Sequence, residues 1–215
     1  MLGSGRGFAI LKSALGSKNE LTRRDVVRAL GKIGGSRIIP LLRDALFDGN
    51  NLVRMYAAEA MANTGGDTRA VAILLSTMDL NSDKSVQREA AYSLARLGND
   101  KGVAKLKSML SERKWSTREA AAYSLLKLNH PAGIEYFMKV IKGDHDKSRG
   151  FAAFAFGKVS YSKALPEIIA ALDDPSPLVR KEAAKGLKDF KDPEAQAAFR
   201  KYCETGENKF FSPCF

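Results

Sequence analysis

Five arginines are the most conspicuous candidates for chemistry in this chain: Arg23, Arg54, Arg118, Arg149 and Arg180. A guanidinium can hold a carboxylate or phosphate in a two-bond fork, so a ladder of arginines is either an anion site or a set of internal struts. The remaining reactive residue types are sparse. The two histidines, His130 and His145, lie in turn-like surroundings, His130 before Pro131 and His145 between Asp144 and Asp146. Neither has the partners that a metal site needs, so both are expected on surface loops and no metal or cofactor is assigned. No Cys–His or Ser–His–Asp set converges, and no catalytic residue is assigned. Gly3-Ser4-Gly5-Arg6-Gly7 is glycine-rich but lacks the preceding strand of a phosphate loop.

The elements that must position these side chains follow from an internal repeat. With each anchor as zero, offsets three, four and seven carry small or apolar residues. They are Val26, Val27 and Leu30; Ala57, Ala58 and Met61; Ala90, Ala91 and Leu94 after Gln87. The series continues with Ala121, Ala122 and Leu125; Ala152, Ala153 and Phe156; Ala183, Ala184 and Leu187. The anchors are spaced 31, 33, 31, 31 and 31 residues apart. Small side chains let helices approach closely, and a Gly or Asn near offset eleven stops the first helix. A second helical pattern follows in each unit, such as Val103, Leu106, Met109 and Leu110, or Ile134, Phe137, Met138, Val140 and Ile141.

The clearest copy, Leu172-Asp173-Asp174-Pro175-Ser176-Pro177-Leu178-Val179-Arg180-Lys181-Glu182-Ala183-Ala184, resembles the HEAT repeat. More narrowly it resembles the short HEAT-like repeats named after phycobilisome lyases, over roughly residues 7 to 203. The expected fold is all-α: an α-solenoid of about six helical hairpins in a right-handed superhelix. A single domain over 1–205 is expected, with a half repeat at 7–16 and full repeats starting near 21, 52, 85, 116, 147 and 178. Residues 206–215 form an aromatic tail with Phe210, Phe211 and Phe215. The resemblance also implies that each anchor arginine pairs with an acid at the preceding inter-repeat turn, drawn from Asp48, Asp83, Asp146 and Asp173 or Asp174. That assigns the arginines to structure.

Two surfaces then stand out as partner-binding candidates. Offsets five and nine share one face of the first helix. In three consecutive repeats they read Tyr92/Arg96, Tyr123/Lys127 and Phe154/Lys158, an aromatic beside a base. Such a stripe suits an acidic helix, a nucleic-acid strand or a conjugated ligand, or simply packs between helices. The second helices, expected on the concave side, concentrate Lys101, Lys105, Lys107, Lys139 and Lys142 with few acids. Trp115, the only tryptophan, stands at a turn where it is expected to staple against the next helix.

The chain carries a formal net charge of +11, which attracts anions without choosing among them. The function expected is a non-enzymatic protein-interaction scaffold or adaptor with a basic surface, a subunit or assembly factor of a larger complex, with an acidic protein or peptide as partner. Two alternatives stay open: a tetrapyrrole (bilin) lyase-like or chaperone subunit, and a nucleic-acid-binding protein. No membrane span or signal-peptide core is evident. Cys203 and Cys214 are expected as free thiols of a reducing compartment, the cytoplasm or an organelle stroma or matrix.

Overall fold

The structure, a computed structural model, describes residues 5–64 and 68–204. The glycine-rich start up to Ser4, the expected helix stop at Gly65, the aromatic tail and Cys214 lie outside the described residues. The chain falls into two compact units, Met1–Met109 and Leu110–Phe215. Among the described residues there are thirteen α-helices and no strand, so the all-α expectation is borne out.

In the first unit, α1 (Gly5–Leu15) packs on α2 (Glu20–Ile33). Three hairpins follow: α2 with α3 (Ile39–Ala45), α4 (Asn51–Asn63) with α5 (Thr68–Leu80), and α6 (Lys84–Arg96) with α7 (Asp100–Met109). The second unit pairs α8 (Trp115–Lys127) with α9 (Pro131–Val140), α10 (Asp146–Lys158) with α11 (Leu165–Ala170), and α12 (Pro177–Leu187) with α13 (Pro193–Glu204). Helix starts are set locally. Asn19 accepts from the N–H groups of Leu21 and Thr22, and Asn50 from those of Leu52 and Val53. Asp83 accepts from Ser85 N–H and so caps α6. Each cap satisfies helix donors that would otherwise be left open.

The core is the repeat pattern made solid. Every residue at offsets three, four and seven is buried, from Val26, Val27 and Leu30 to Ala183, Ala184 and Leu187. Each buried Leu or Phe in these positions contributes about 1.5–3 kcal/mol by leaving water. Alanines at offsets three and four remove the bulk that would hold neighbouring helices apart. Two glycines take this to its limit. A Cβ on Gly133 would lie 2.5 Å from Leu126 N, so α9 sits directly against the backbone of α8. Gly157 on α10 faces Gly186 on α12, and a Cβ there would fall inside van der Waals contact. The first helices end in left-handed residues at Gly34, Gly98 and Asn129, and also at Ser160 (φ 51°), where the stop is neither Gly nor Asn.

Candidate functional site

The anchor arginines grip turns in both directions along the chain. Arg23 donates from Nη1 to Ser17 O (2.8 Å), six residues back. Arg54 reaches Asp48 O (2.5 Å), Arg118 reaches Glu112 O (2.8 Å), Arg149 reaches Gly143 O (3.0 Å) and Arg180 reaches Asp174 O (2.9 Å). Gln87, in the arginine position, makes the same bond to Asn81 O (2.5 Å). The side chain thus caps the open carbonyls at the end of the preceding element. The carboxylate forks run the other way. Arg23 pairs through Nε and Nη2 with both oxygens of Asp48 (2.7 and 2.9 Å). Arg149 pairs likewise with Asp174 (2.9 and 3.0 Å).

These geometries correct the expected pairing. The acids taken by Arg23 and Arg149 lie 25 residues ahead, at the following turn; the preceding turn is held through backbone oxygens. Asp146 instead accepts from Ser176 Oγ (3.2 Å), and Asp83 is the helix cap noted above. The hydrogen-bonded guanidinium holds the Asp48 and Asp174 carboxyls below their ordinary range, against the opposing effect of partial burial. The assignment of the arginines to structure therefore stands on their geometry.

The aromatic–basic positions are largely engaged inside each unit. In the first unit Tyr92 is half-buried, and Arg96 pairs with Glu59 Oε1 at 2.6 Å. In the second unit Tyr123 and Phe154 are half-buried. Tyr123 meets Phe151 edge-on at 5.9 Å, and Phe151 lies 6.4 Å from Phe154. Lys127 Nζ sits over the Tyr123 ring at 5.4 Å and Lys158 Nζ over the Phe154 ring at 5.7 Å. Lys158 also donates to Asp189 Oδ2 at 2.8 Å, which raises the ammonium's pKa and lowers the carboxyl's. The rings of the second unit thus pack between adjacent first helices, and their lysines cover them.

The second-helix lysines differ. Lys101 and Lys107 on α7 are exposed and Lys105 is half-buried; Lys139 on α9 is exposed. None of these four forms an ion pair among the described residues. Lys142, just past α9, reaches Glu167 Oε1 at 3.4 Å. The structure does not gather all five. Lys101 and Lys105, four residues apart, share a face of α7. Lys107 points about 160° away from Lys105 around that helix.

The histidines are caps. His130 Nδ1 accepts from Ala132 N–H (3.2 Å) at the start of α9, and His145 Nδ1 from Ser148 N–H (3.3 Å) at the start of α10. Among the described residues no three His, Cys, Asp or Glu side chains cluster as a metal would require. Cys203 is disulfide-bonded, which differs from the free thiol expected. Trp115 begins α8, remains 42% exposed, and sets its ring 5.5 Å from that of His145 at the next repeat's turn.

One feature of the second unit was not visible as a motif. A groove of about 400 Å³ crosses the first turns of α8, α10 and α12, lined by Trp115, Glu119, Lys147, Phe151, Leu178 and Glu182 among others. Glu119 is only 3% exposed, and its Oε1 has no hydrogen-bond partner among the described residues. Burial pushes its carboxyl pKa up, opposed by a hydrogen bond from Ser148.

Helical hairpins repeated on one spacing, with small residues at the helix contacts and a half-buried arginine, or once the buried Gln87, bracing each turn, define an all-α helical-repeat protein of the α-solenoid class. The chain belongs to the HEAT-repeat family: the model for HEAT repeats matches residues 8–84, 78–149 and 134–211. Among solved structures it is similar to human deoxyhypusine hydroxylase in complex with glycerol, at 21% identity and a TM-score of 0.42, over 99% of this chain and 83% of that one. It is also similar to the CpcE–CpcF complex of phycocyanin lyase from Nostoc sp. PCC7120, at 19% identity and a TM-score of 0.49, over 90% and 94%. A designed armadillo repeat protein matches at 17% identity and a TM-score of 0.30, over 90% and 87%. At such identities the likeness is one of fold alone. No curated protein matches this chain significantly. Among the described residues no helix is long and apolar enough to cross a membrane.

Proposed function

We propose that this chain is a non-enzymatic interaction module with a basic surface that engages an acidic protein or peptide, within a larger assembly. The observation that carries this reading is the contrast in charge use. Arg23, Arg149, Arg96 and Lys158 are all paired internally, whereas Lys101, Lys105, Lys107 and Lys139 have no acidic partner among the described residues. Unpaired cations on helix faces add to the net charge of +11 and draw an acidic partner by long-range attraction.

The test is a titration with a poly-glutamate peptide at low salt, repeated with the triple variant Lys105→Glu, Lys107→Glu, Lys139→Glu. Saturable binding that the variant loses is the expected result. Undiminished binding by the variant removes these lysines from the interface. A single-stranded oligonucleotide and a free bilin are run in parallel. Tighter oligonucleotide binding that collapses with salt favours the nucleic-acid reading. A bilin absorbance shift in the micromolar range favours the tetrapyrrole reading.

A further inference from the structure

The groove of the second unit has an unusual composition for so basic a chain. Two carboxylates, Glu119 and Glu182, stand on α8 and α12, with the aromatic rings of Trp115 and Phe151 and the side chain of Leu178 between or beside them. Trp115 and Leu178 are 42% and 38% exposed, so apolar surface is open to solvent on both sides of the groove. Lys147 is the one cation on its lining. Glu182 is held by Lys185 at 2.5 Å, but Glu119 keeps a buried oxygen with no donor. An enclosed carboxylate oxygen without a hydrogen bond is costly, and a donor brought to it recovers part of that cost.

We propose that this groove is a binding site for an arginine side chain presented by a peptide or protein partner. The chemistry selects that occupant. Its three-carbon stem matches the apolar walls of Trp115, Phe151 and Leu178. Its flat guanidinium stacks on an indole or phenyl face. Its five N–H donors serve a carboxylate on either side at once, reaching Glu119 while Glu182 remains bound to Lys185. A purely aliphatic side chain fills the walls and leaves the Glu119 oxygen unpaired; an acidic one is repelled. The site is independent of the lysine surface proposed above, since it lies on first helices and takes a ligand of opposite charge. Either proposal survives failure of the other.

Trp115, the only tryptophan, lines the groove and reports on it directly. The experiment titrates the full chain with the capped peptide acetyl-Gly-Gly-Arg-Gly-Gly-amide and follows indole emission. The same peptide with norleucine in place of arginine serves as control, and Glu119→Gln and Glu182→Gln are measured beside the wild type, with circular dichroism to check their helix content. The expected result is a saturable emission change with the arginine peptide, a norleucine peptide at least about tenfold weaker, and a loss of about tenfold in Glu119→Gln. If Glu119→Gln fails to fold, Glu182→Gln must still weaken the arginine peptide relative to the norleucine one. Equal binding of the two peptides, or no saturable change, overturns the proposal.

Discussion

Arg149 and Lys139 belong to the same unit and carry the same charge, yet their surroundings differ in kind. The Arg149 side chain is 17% exposed, and its guanidinium forks onto Asp174 and caps two carbonyls of the turn before it, Gly143 O and Asp144 O. Lys139 stands exposed on α9 with no acidic partner among the described residues. The first residue ties the turn just before its own helix to a turn 25 residues after it; the second leaves its charge to solvent and to whatever approaches. The contrast separates charges that hold the repeat together from charges available for recognition. It also explains why a count of basic residues says little about binding in a repeat protein: the most regularly spaced cations are the least available.

The comparison predicts the largest stability effect at the fork. Asp174→Ala removes both bonds to Arg149 and the acceptor for Ser176 N–H. A loss of about 2–3 kcal/mol is expected, since a partly buried guanidinium is left without its carboxylate. Lys139→Ala is expected to change stability by less than about 0.5 kcal/mol. Urea unfolding followed by Trp115 fluorescence measures both, because tryptophan, fork and lysine all lie in the second unit. A Lys139→Ala loss as large as that of Asp174→Ala would break the distinction.

Acid titration gives the next largest effect. Asp48 and Asp174 have folded pKa values held below the ordinary 3.8 by their arginines. Their contribution is fully present above that ordinary value and is lost as pH falls through the depressed folded values. Glu119 acts in the opposite sense. Its folded pKa is raised above 4.5 by burial, so the folded state gains stability as pH falls through the raised value toward 4.5. Wild type should therefore show a stability rise on mild acidification that Glu119→Gln lacks, followed by a steep loss in stronger acid that Asp174→Asn reduces. Thermal unfolding across that pH range measures both limbs.

What could be read from the amino-acid order, and what could not, divides on the same lines. The spacing of Ala121, Ala122 and Leu125, and of their counterparts, is enough for the all-α repeat, because burial at offsets three, four and seven is a property of helix periodicity. The arginines were legible as structural only through the resemblance to HEAT-like repeats, which implies that this position pairs within the repeat; their regular spacing alone fits an anion site as well. The direction of their forks was not. Asp48 stands six residues before Arg54 and 25 after Arg23, and spacing alone cannot tell which arginine meets its carboxylate and which its carbonyl. The histidine caps were missed because imidazole is not among the side chains usually sought at a helix start. The groove was missed because its walls occupy different offsets: Trp115 three before Arg118, Phe151 two after Arg149, Leu178 two before Arg180. A reading by columns finds what repeats and passes over what three unlike positions build together.

The smallest expected effects are at the lysines that lie over aromatic rings, and they mark the boundary between the two classes of charge. Lys127 covers Tyr123 from solvent, a contact worth about 0.5–1 kcal/mol at an exposed site. Lys127→Met keeps much of the apolar cover and loses only the cation, so its change should fall at or below that range. Lys158 adds an exposed pair with Asp189, with side chains 39% and 65% accessible. Such a pair is screened by salt within a Debye length of about 3 Å at 1 M. Lys158→Met should lower the unfolding midpoint slightly at low ionic strength, and the difference from wild type should vanish in about 1 M sodium chloride. A difference that persists at high salt would mean that Lys158 acts through packing on Phe154, which would place it with the structural arginines and not with the free lysines.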